Sequence, residues 1–286
     1  MPVIRVLTYN LDHFNPFAYG GKSYQYPGTD VDRFALAAKA IRMLDPDVLL
    51  VQELFGRSQE EVKNTAQSLA FATGLQCQHD GKVTAHKSAY HDLGTGILWN
   101  SRVTPLGWRL AETFWHPMSV LNLQVGDHIV NHMVYHAQPV GRLQSAGTDS
   151  RPSEAVQVAK LASINALTIV GGDWNSLSAA RMSSGDYWDP EPQIDTTMSE
   201  QETAYILNRT PGIILEANGL TDVAAARGNI QCTIGHRRTR KGRQRLDRFY
   251  ATSQMLPFIR SIQAVVTPET EIASDHLPVL LTYELD

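Results

Sequence analysis

Several hydrophobic stretches of this sequence begin or end next to a residue that can bind a metal ion or transfer a proton. These residues are Asn10, Glu53, His136, Asp173, Asn175, Asp247, Asp275 and His276. Carboxylate and amide oxygens suit Mg²⁺ or Mn²⁺, and the lack of closely spaced Cys and His ligands argues against structural zinc. A hard cation, an imidazole and a carboxylate together can promote the attack of water on phosphorus. The residue types therefore predict a metal-assisted hydrolysis of a phosphoester.

The stretch VGGDWNS, residues 170–176, places two of these groups close together in the chain. The apolar run LTIV leads into two glycines, and Asp173 and Asn175 follow. Side chains two residues apart on an extended chain point to the same face. We therefore expect the carboxylate of Asp173 and the carboxamide of Asn175 to act together.

Each of these polar residues, taken singly, also has an ordinary structural explanation. Asn10 could be a turn residue after a strand, and Glu53 could cap a loop. His136 could be a buried core histidine, and Asp247, close to two arginines, could form an ion pair. Their shared position at the ends of strands is what favours a functional site.

Strands and helices alternate along the chain, which is typical of an α/β fold. Strands are predicted at 3–11, 48–54, 128–137, 168–173, 245–252 and 276–285, with weaker candidates at 75–78, 95–99, 103–110 and 118–125. Helices are predicted at 30–44, 58–74 and 152–167, the last with Ser153 as its N-cap. No repeat, low-complexity tract or linker is evident, so a single domain over residues 1–286 is predicted. If the strands are neighbours, their polar ends converge on one rim.

Charge and cysteine content narrow the classes of protein. The 286 residues include 25 Lys and Arg against 29 Asp and Glu, a net charge of −4, which excludes a generally basic nucleic-acid coat. Two cysteines make a disulfide framework improbable and favour a reduced compartment. Neither a signal peptide nor a membrane-spanning segment is evident, so a cytoplasmic location is expected.

Two segments depart from the regular pattern of strands and helices. Residues 13–28 are rich in aromatics and glycine, and their rings could stack bases or grip an apolar substrate. Residues 236–245 are rich in Arg and Lys. Like charges so close together repel one another unless an anion binds, so this segment is predicted to contact substrate. The predicted contacts are Arg238, Arg240, Lys241 and Arg243.

The motifs TYN, QE, GDWN, LDRFYAT and SDHLPV occur in this order and resemble those of the endonuclease/exonuclease/phosphatase superfamily. The resemblance runs from about residue 3 to residue 284. It implies a deoxyribonuclease I-like fold, a four-layer α/β-sandwich of two mixed β-sheets flanked by helices. It also implies a divalent-metal-dependent phosphoesterase that uses Mg²⁺ or Mn²⁺.

The resemblance assigns metal ligands by position. Glu53 resembles the principal ligand of the family, with Asn10 beside it. Asp275 or Asp173 completes the metal shell.

The resemblance also assigns catalytic roles. His276 resembles the general base or a phosphate-orienting imidazole, and Asp247 resembles the carboxylate that holds its tautomer. Asp173 is the rival candidate for activating water. Asn175 would donate a hydrogen bond to the oxygens on which charge develops.

The segment HAQP bears on the branch of the superfamily. His136 resembles the histidine of pancreatic-type deoxyribonucleases, which is a general acid for the leaving oxygen. Arg243 to Arg245 stand where abasic-site endonucleases carry an aromatic wedge, and the proline-tryptophan-cysteine segment of inositol-phosphate phosphatases is missing. A metal-dependent phosphodiesterase is therefore predicted, and the basic segment favours nucleic acid as its substrate and hence a nuclease. One alternative is a phosphatase of a small or lipid phosphoester. An inactive binding module is a weaker alternative, because a competent residue fills every catalytic position.

Overall fold

The computed structural model describes residues 3–14, 32–139, 148–236 and 242–285, without the side chain of Phe14. The strands are β1 Val3–Phe14, β2 Val48–Phe55, β3 Gln78–His79, β4 Lys82–Val83, β5 Ala85–Lys87, β6 Leu93–Trp99, β7 Thr104–Ala111, β8 Met118–Val125, β9 His128–His136, β10 Thr168–Asp173, β11 Leu220–Asp222, β12 Asp247–Thr252, β13 Ile259–Ala264 and β14 Val279–Glu284. The helices are α1 Arg33–Leu44, α2 Gln59–Thr73, α3 Arg151–Ala162, α4 Glu200–Leu207, α5 Thr210–Ala217, α6 Val223–Ala226 and α7 Pro268–Ala273. None of the helices among these residues is both long and apolar enough to span a membrane.

Two six-stranded sheets form the centre of the molecule. The first has the order β13-β14-β1-β2-β6-β5, and the second has the order β11-β12-β10-β9-β8-β7. Each sheet is antiparallel except for one central parallel pair, β1 with β2 in the first sheet and β9 with β10 in the second. The parallel pairs matter for function because their carboxyl ends lie at the same edge of the sheet.

Three hydrophobic clusters fill the spaces between adjacent layers. The cluster between the sheets joins side chains such as Val6 and Leu50 of the first sheet to Val134 and Phe249 of the second. A second cluster packs α1, α2 and α7 on the outer face of the first sheet. A third packs α3 and α5 on the outer face of the second sheet. The order helix, sheet, sheet, helix confirms the predicted four-layer α/β-sandwich of two mixed sheets.

Most predicted elements are close to the observed ones, but the helix predicted at 152–167 ends at Ala162, the strand predicted at 75–78 overlaps β3 only at Gln78, and one N-cap is wrong. The third helix begins at Arg151, and its N-cap is Ser150 rather than Ser153. Ser153 lies in the first turn, where its hydroxyl donates to the carbonyl of Ser150. Pro152 fits this position because a proline in the first turn forfeits no helical hydrogen bond.

Candidate active site

Alternation along the strands brings polar side chains to one end of the space between the sheets. In β1 the inward positions are Ile4, Val6, Thr8 and Asn10, so the row is apolar in the core and polar at the strand end. The other rows run from Val130 to His136 in β9, from Ile169 to Asp173 in β10 and from Ala251 back to Asp247 in β12. β12 is antiparallel to β10, so its first residue pairs with the last residue of β10. Asn10, His136, Asp173 and Asp247 therefore meet at one end of the space between the sheets, and this end is the rim.

Glu53 reaches this rim through a β-bulge. In the pairing of β2 with β6, Gln52 lies opposite Thr95 and Leu54 lies opposite Gly94, which leaves Glu53 as the extra residue. Leu54 takes the place of Glu53 on the outer face with Leu49 and Val51. Glu53 has a positive φ of 62°. Bulges of this kind re-aim a side chain near functional sites.

Asp12 and His13 also belong to the site, although sequence reasoning missed them as site residues. His13 Nδ1 lies 3.3 Å from Asp12 Oδ1 and 3.2 Å from Glu53 Oε2, and the His13 amide donates to Glu53 Oε2 at 2.9 Å. Arg33 donates to Asp12 Oδ2 at 3.0 Å. Asp12 follows Asn10 at the same spacing at which Asn175 follows Asp173, and that spacing was the available signal.

Asp173 lies at the centre of the rim. Its carboxylate accepts from Asn10 Nδ2 at 3.0 Å and from Asn175 Nδ2 at 3.2 Å. The imidazole Nε2 atoms of His136 and His276 lie 3.7 Å and 3.9 Å from Asp173 Oδ2. This one oxygen thus faces groups carried by β1, by β9 and by the segments that follow β10 and precede β14.

Asn175 lies beside Asp173, but for a different reason from the predicted one. β10 ends at Asp173, and Asn175 has a left-handed φ of 43° rather than an extended backbone. Its amide donates to Asp173 Oδ1 at 2.9 Å, so the chain turns back on the aspartate side chain. Asn tolerates this conformation better than most residues. Arg151 donates to the Asn175 carbonyl from within the protein, which anchors the turn.

Asp247 and His276 form a buried pair. His276 Nδ1 lies 2.8 Å from Asp247 Oδ2, and both residues are buried. Burial alone would lower the pKa of His276, but Asp247, Asp275 and Asp173 raise it well above its ordinary range. Burial raises the pKa of Asp247. Such a pair holds a proton on His276 and leaves its Nε2 facing the rim.

His136 faces two carboxylates across the rim. It is the last residue of β9 and lies beside Asp173 in the parallel register. Its Nε2 is 3.8 Å from Glu53 Oε1 and 3.7 Å from Asp173 Oδ2. An imidazole in this position can exchange a proton with a group bound between the sheets.

The remaining predicted residues lie at or beyond the edge of this cluster. The Asp275 side chain is 37% exposed, and its Oδ1 is 3.9 Å from His276 Nε2. Arg243 is exposed, next to a segment in which Ile234 bridges both Gln244 and His276. Arg238, Arg240 and Lys241 lie outside the described residues, as does most of the aromatic segment 13–28. Arg245, at the end of the basic segment, is buried in ion pairs with Asp189 and Asp222 and is not free to meet substrate.

The donor atoms at the rim fit a divalent cation. Two groups have ligand atoms close enough to share an ion, one of Asp12, His13 and Glu53 and one of Asp173, Asp247 and His276. Burial raises the pKa of Glu53, and the Asp12 and Asp275 carboxylates add to that rise against the opposing His13. The hydrogen bond to Asp12 and the charge of Glu53 raise the pKa of His13 to about 9. A buried carboxylate among other carboxylates is stabilised by a cation.

Known structures share this fold at low sequence identity. An endonuclease/exonuclease/phosphatase from Bacteroides vulgatus aligns over 100% of both chains with a TM-score of 0.66 and 14% identity. TDP2 of D. rerio in complex with a single-strand DNA product aligns over 99% of both chains with a TM-score of 0.60 and 15% identity. A functionally unknown protein from Enterococcus faecalis V583 aligns over 97% of this chain and 98% of that chain with a TM-score of 0.62 and 12% identity.

Sequence comparison identifies the family directly. No curated protein sequence matches the chain. The family model described as Endonuclease/Exonuclease/phosphatase family matches residues 7–276, which include all the rim residues. The fold, the rim and this match agree with the resemblance of the five motifs, and the chain belongs to the endonuclease/exonuclease/phosphatase family.

Proposed function

We propose that this protein is a divalent-metal-dependent phosphodiesterase that hydrolyses nucleic acid. The observation that carries the proposal is the central position of Asp173, whose Oδ2 accepts from two side-chain amides and faces two imidazoles. A carboxylate and two separately held imidazoles supply a base, an acid and a positive charge for one reaction at phosphorus.

Glu53 and Asn10 would hold the cation, with Asp12 and His13 as the nearest further donors. When bound, Mg²⁺ or Mn²⁺ would stabilise the negative charge that develops on the phosphoryl oxygens.

The residues of the chain itself divide the remaining work. Asp173 accepts a proton from the attacking water, whose oxygen forms the new bond to phosphorus. His276, kept protonated by Asp247, and Asn175 donate hydrogen bonds to the non-bridging oxygens. His136 gives a proton to the leaving oxygen as its bond to phosphorus breaks. The products are a phosphomonoester and a free hydroxyl.

Two observations favour a polymeric substrate. Arg243 is exposed next to Gln244, which pairs with Ile234, and Ile234 also pairs with His276, so the described end of the basic segment lies close to the rim. A nucleic acid whose scissile phosphate sits at the rim would bring its neighbouring phosphates to these charges. TDP2, which shares the fold, has been captured with a single-strand DNA product.

The substrate class is tested by removing the basic charges. Arg238, Arg240, Lys241 and Arg243 are changed together to Ala, and affinity for single-stranded and duplex DNA is measured against salt concentration. The slope of log K against log salt should flatten by roughly 0.7 to 0.9 for each phosphate that the variant no longer neutralises. Hydrolysis of a small chromogenic phosphodiester should stay unchanged, because the rim residues are intact.

The matched control removes four exposed charges elsewhere, from Lys39, Lys82, Lys160 and Arg260. This control should leave the salt slope at its wild-type value. Equal slopes for both variants would contradict a nucleic-acid substrate and favour a phosphatase of a small or lipid phosphoester.

A further inference from the structure

A second histidine ring lies against His136. His116 precedes β8 and has no exposed surface. Its ring stacks on the ring of His136 with the centroids 3.8 Å apart and the planes 11° apart. Sequence reasoning did not select His116, since it follows no strand and belongs to none of the five motifs. A parallel contact this close restricts how the His136 ring can turn.

A hydrogen bond fixes the protonation of His116. Its Nδ1 lies 2.9 Å from the backbone oxygen of His136. Because a carbonyl oxygen only accepts, Nδ1 must carry the proton. The other nitrogen, Nε2, is buried and has no hydrogen-bond partner among the described residues. His116 therefore touches His136 twice, through its ring face and through the main chain.

The segment that carries His116 is itself anchored on both sides. The amide of Trp115 donates to Glu154 Oε1 at 2.6 Å, and its carbonyl accepts from Ser88 Oγ at 2.7 Å. On the other side, Thr95 Oγ1 donates to the carbonyl of Pro117 at 2.6 Å. The ring of His91 also packs against the His116 ring, with the centroids 4.5 Å apart and the planes 75° apart. These contacts make His116 a fixed support.

His116 is a neutral support. Burial lowers its pKa well below the ordinary value, and the neighbouring His136 and His91 lower it further. A neutral ring can lie against His136 in either charge state without like-charge repulsion. Stacking on an aromatic face also tolerates a positive charge on the partner.

We propose that His116 is a positioning residue for His136, and that its stacked ring and its Nδ1–H bond keep His136 Nε2 aimed at the Glu53 and Asp173 carboxylates. The proposal rests on the proposed function, in which His136 protonates the leaving oxygen. Without the support, the His136 ring could rotate about its side-chain torsions, and Nε2 would leave the rim. A positioned acid contributes about 10²- to 10⁴-fold to a rate, so its misplacement is measurable.

Single and double variants test this coupling. The variants are His116→Ala, His116→Phe, His136→Ala and the double variant His116→Ala/His136→Ala, assayed for kcat and KM on a polynucleotide. His116→Ala should lower kcat by roughly 10-fold or more at nearly constant KM. His116→Phe keeps a flat ring and should retain more activity than His116→Ala. In the His136→Ala background, removal of His116 should cause no further loss, since residues that act as a unit are not additive.

A matched control separates positioning from general destabilisation. His132 is also fully buried on β9, but it faces Tyr283 rather than the rim, so His132→Gln disturbs the same strand. Its effect on kcat should be small and should combine independently with His136→Ala. Losses from His116→Ala and His136→Ala that multiply in the double variant would overturn the proposal.

An NMR measurement keeps the test independent of activity and of any one variant. Long-range ¹⁵N–¹H spectra of the wild-type protein should show His116 with its proton on Nδ1, and the His136 ring signals should shift in His116→Phe. A proton on Nε2 of His116, or unchanged His136 ring signals, would overturn the proposal. If His136→Ala retains full activity, the acid role in the proposed function fails as well; if only His116→Ala is silent, the positioning role alone fails.

Discussion

Left-handed backbone conformations are concentrated among the residues of the site. Six non-glycine residues in the described part of the chain have a positive φ, and Asp12, His13, Glu53 and Asn175 are four of them. Left-handed conformations of this kind are disfavoured for most residues and persist where the surrounding structure enforces them. Here hydrogen bonds within the cluster enforce them, because the amides of His13 and Asn175 donate to carboxylates of the site.

The variant Glu53→Gln tests the proposal that Glu53 is a metal ligand. The change keeps the shape of the side chain and removes its charge. Because burial raises the pKa of Glu53, the ionised carboxylate is costly, and thermal stability should stay equal or rise. Titration calorimetry with Mn²⁺ should show roughly 10-fold weaker binding or worse, together with a loss of hydrolysis. Wild-type Mn²⁺ affinity in a folded Glu53→Gln protein would contradict the assignment.

At the scale of elements, the sequence predicts strand ends better than it predicts the turns beyond them. The rows that end in Asn10, His136 and Asp173 follow from alternation, which is a local property of the sequence. The bulge at Glu53 depends on the pairing of β2 with β6, so no local pattern indicates it. The turn at Asn175 is local, because its amide bonds the Asp173 side chain two residues earlier. The role of His116 is still harder to predict from the sequence, because only the pairing of β8 with β9 brings His116 next to His136.

The two glycines of VGGDWNS are explained by the pairing of β10 with its neighbours. A Cβ at Gly172 would lie 1.7 Å from the backbone oxygen of Tyr135 in β9. A Cβ at Gly171 would lie 2.5 Å from the Phe249 ring in β12. Only glycine lets β9 and β10 approach closely enough to place His136 beside Asp173.

Gly172→Ala should therefore destabilise the fold by about 2 kcal/mol or more and reduce activity further by displacing Asp173. The matched control is Gly107→Ala in β7, where an added Cβ meets no atom within 4 Å. Chemical denaturation of both variants measures the free energy of unfolding. Equal stability of the two variants would show that the close approach of β9 and β10 has no energetic weight.

At the scale of the whole molecule, the two sheets are held together by a core that contains a buried histidine. His132 of β9 lies in the same inward row as Val134, and its Nε2 is 3.2 Å from the hydroxyl of Tyr283 in β14. Burial lowers the pKa of His132 to about 3. The unfolded chain, with an ordinary histidine pKa of about 6.5, therefore binds this proton before the folded protein does.

The sign of the pH dependence follows from this difference. Stability from a neutral His132 is present above about pH 6.5 and is lost as the pH falls from there towards 3, at roughly 1.4 kcal/mol per pH unit. His132→Gln keeps a polar partner for Tyr283 but does not titrate. Denaturation between pH 7 and pH 4 should show a shallower acid decline for His132→Gln than for the wild type. Parallel curves would mean that folding does not lower the pKa of His132.

The most direct test of the proposed reaction changes Asp173, whose carboxylate contacts groups from both sheets. Wild-type protein and Asp173→Asn are incubated with end-labelled single-stranded and duplex oligonucleotides in Mg²⁺ or Mn²⁺, and wild type is also incubated in a chelator. Wild type should cleave at least one strand type with metal and should stop in the chelator. Asp173→Asn should bind the oligonucleotide but cleave it at least about 10²-fold more slowly. Cleavage by Asp173→Asn at the wild-type rate, or by wild type in the chelator, would contradict the proposed reaction.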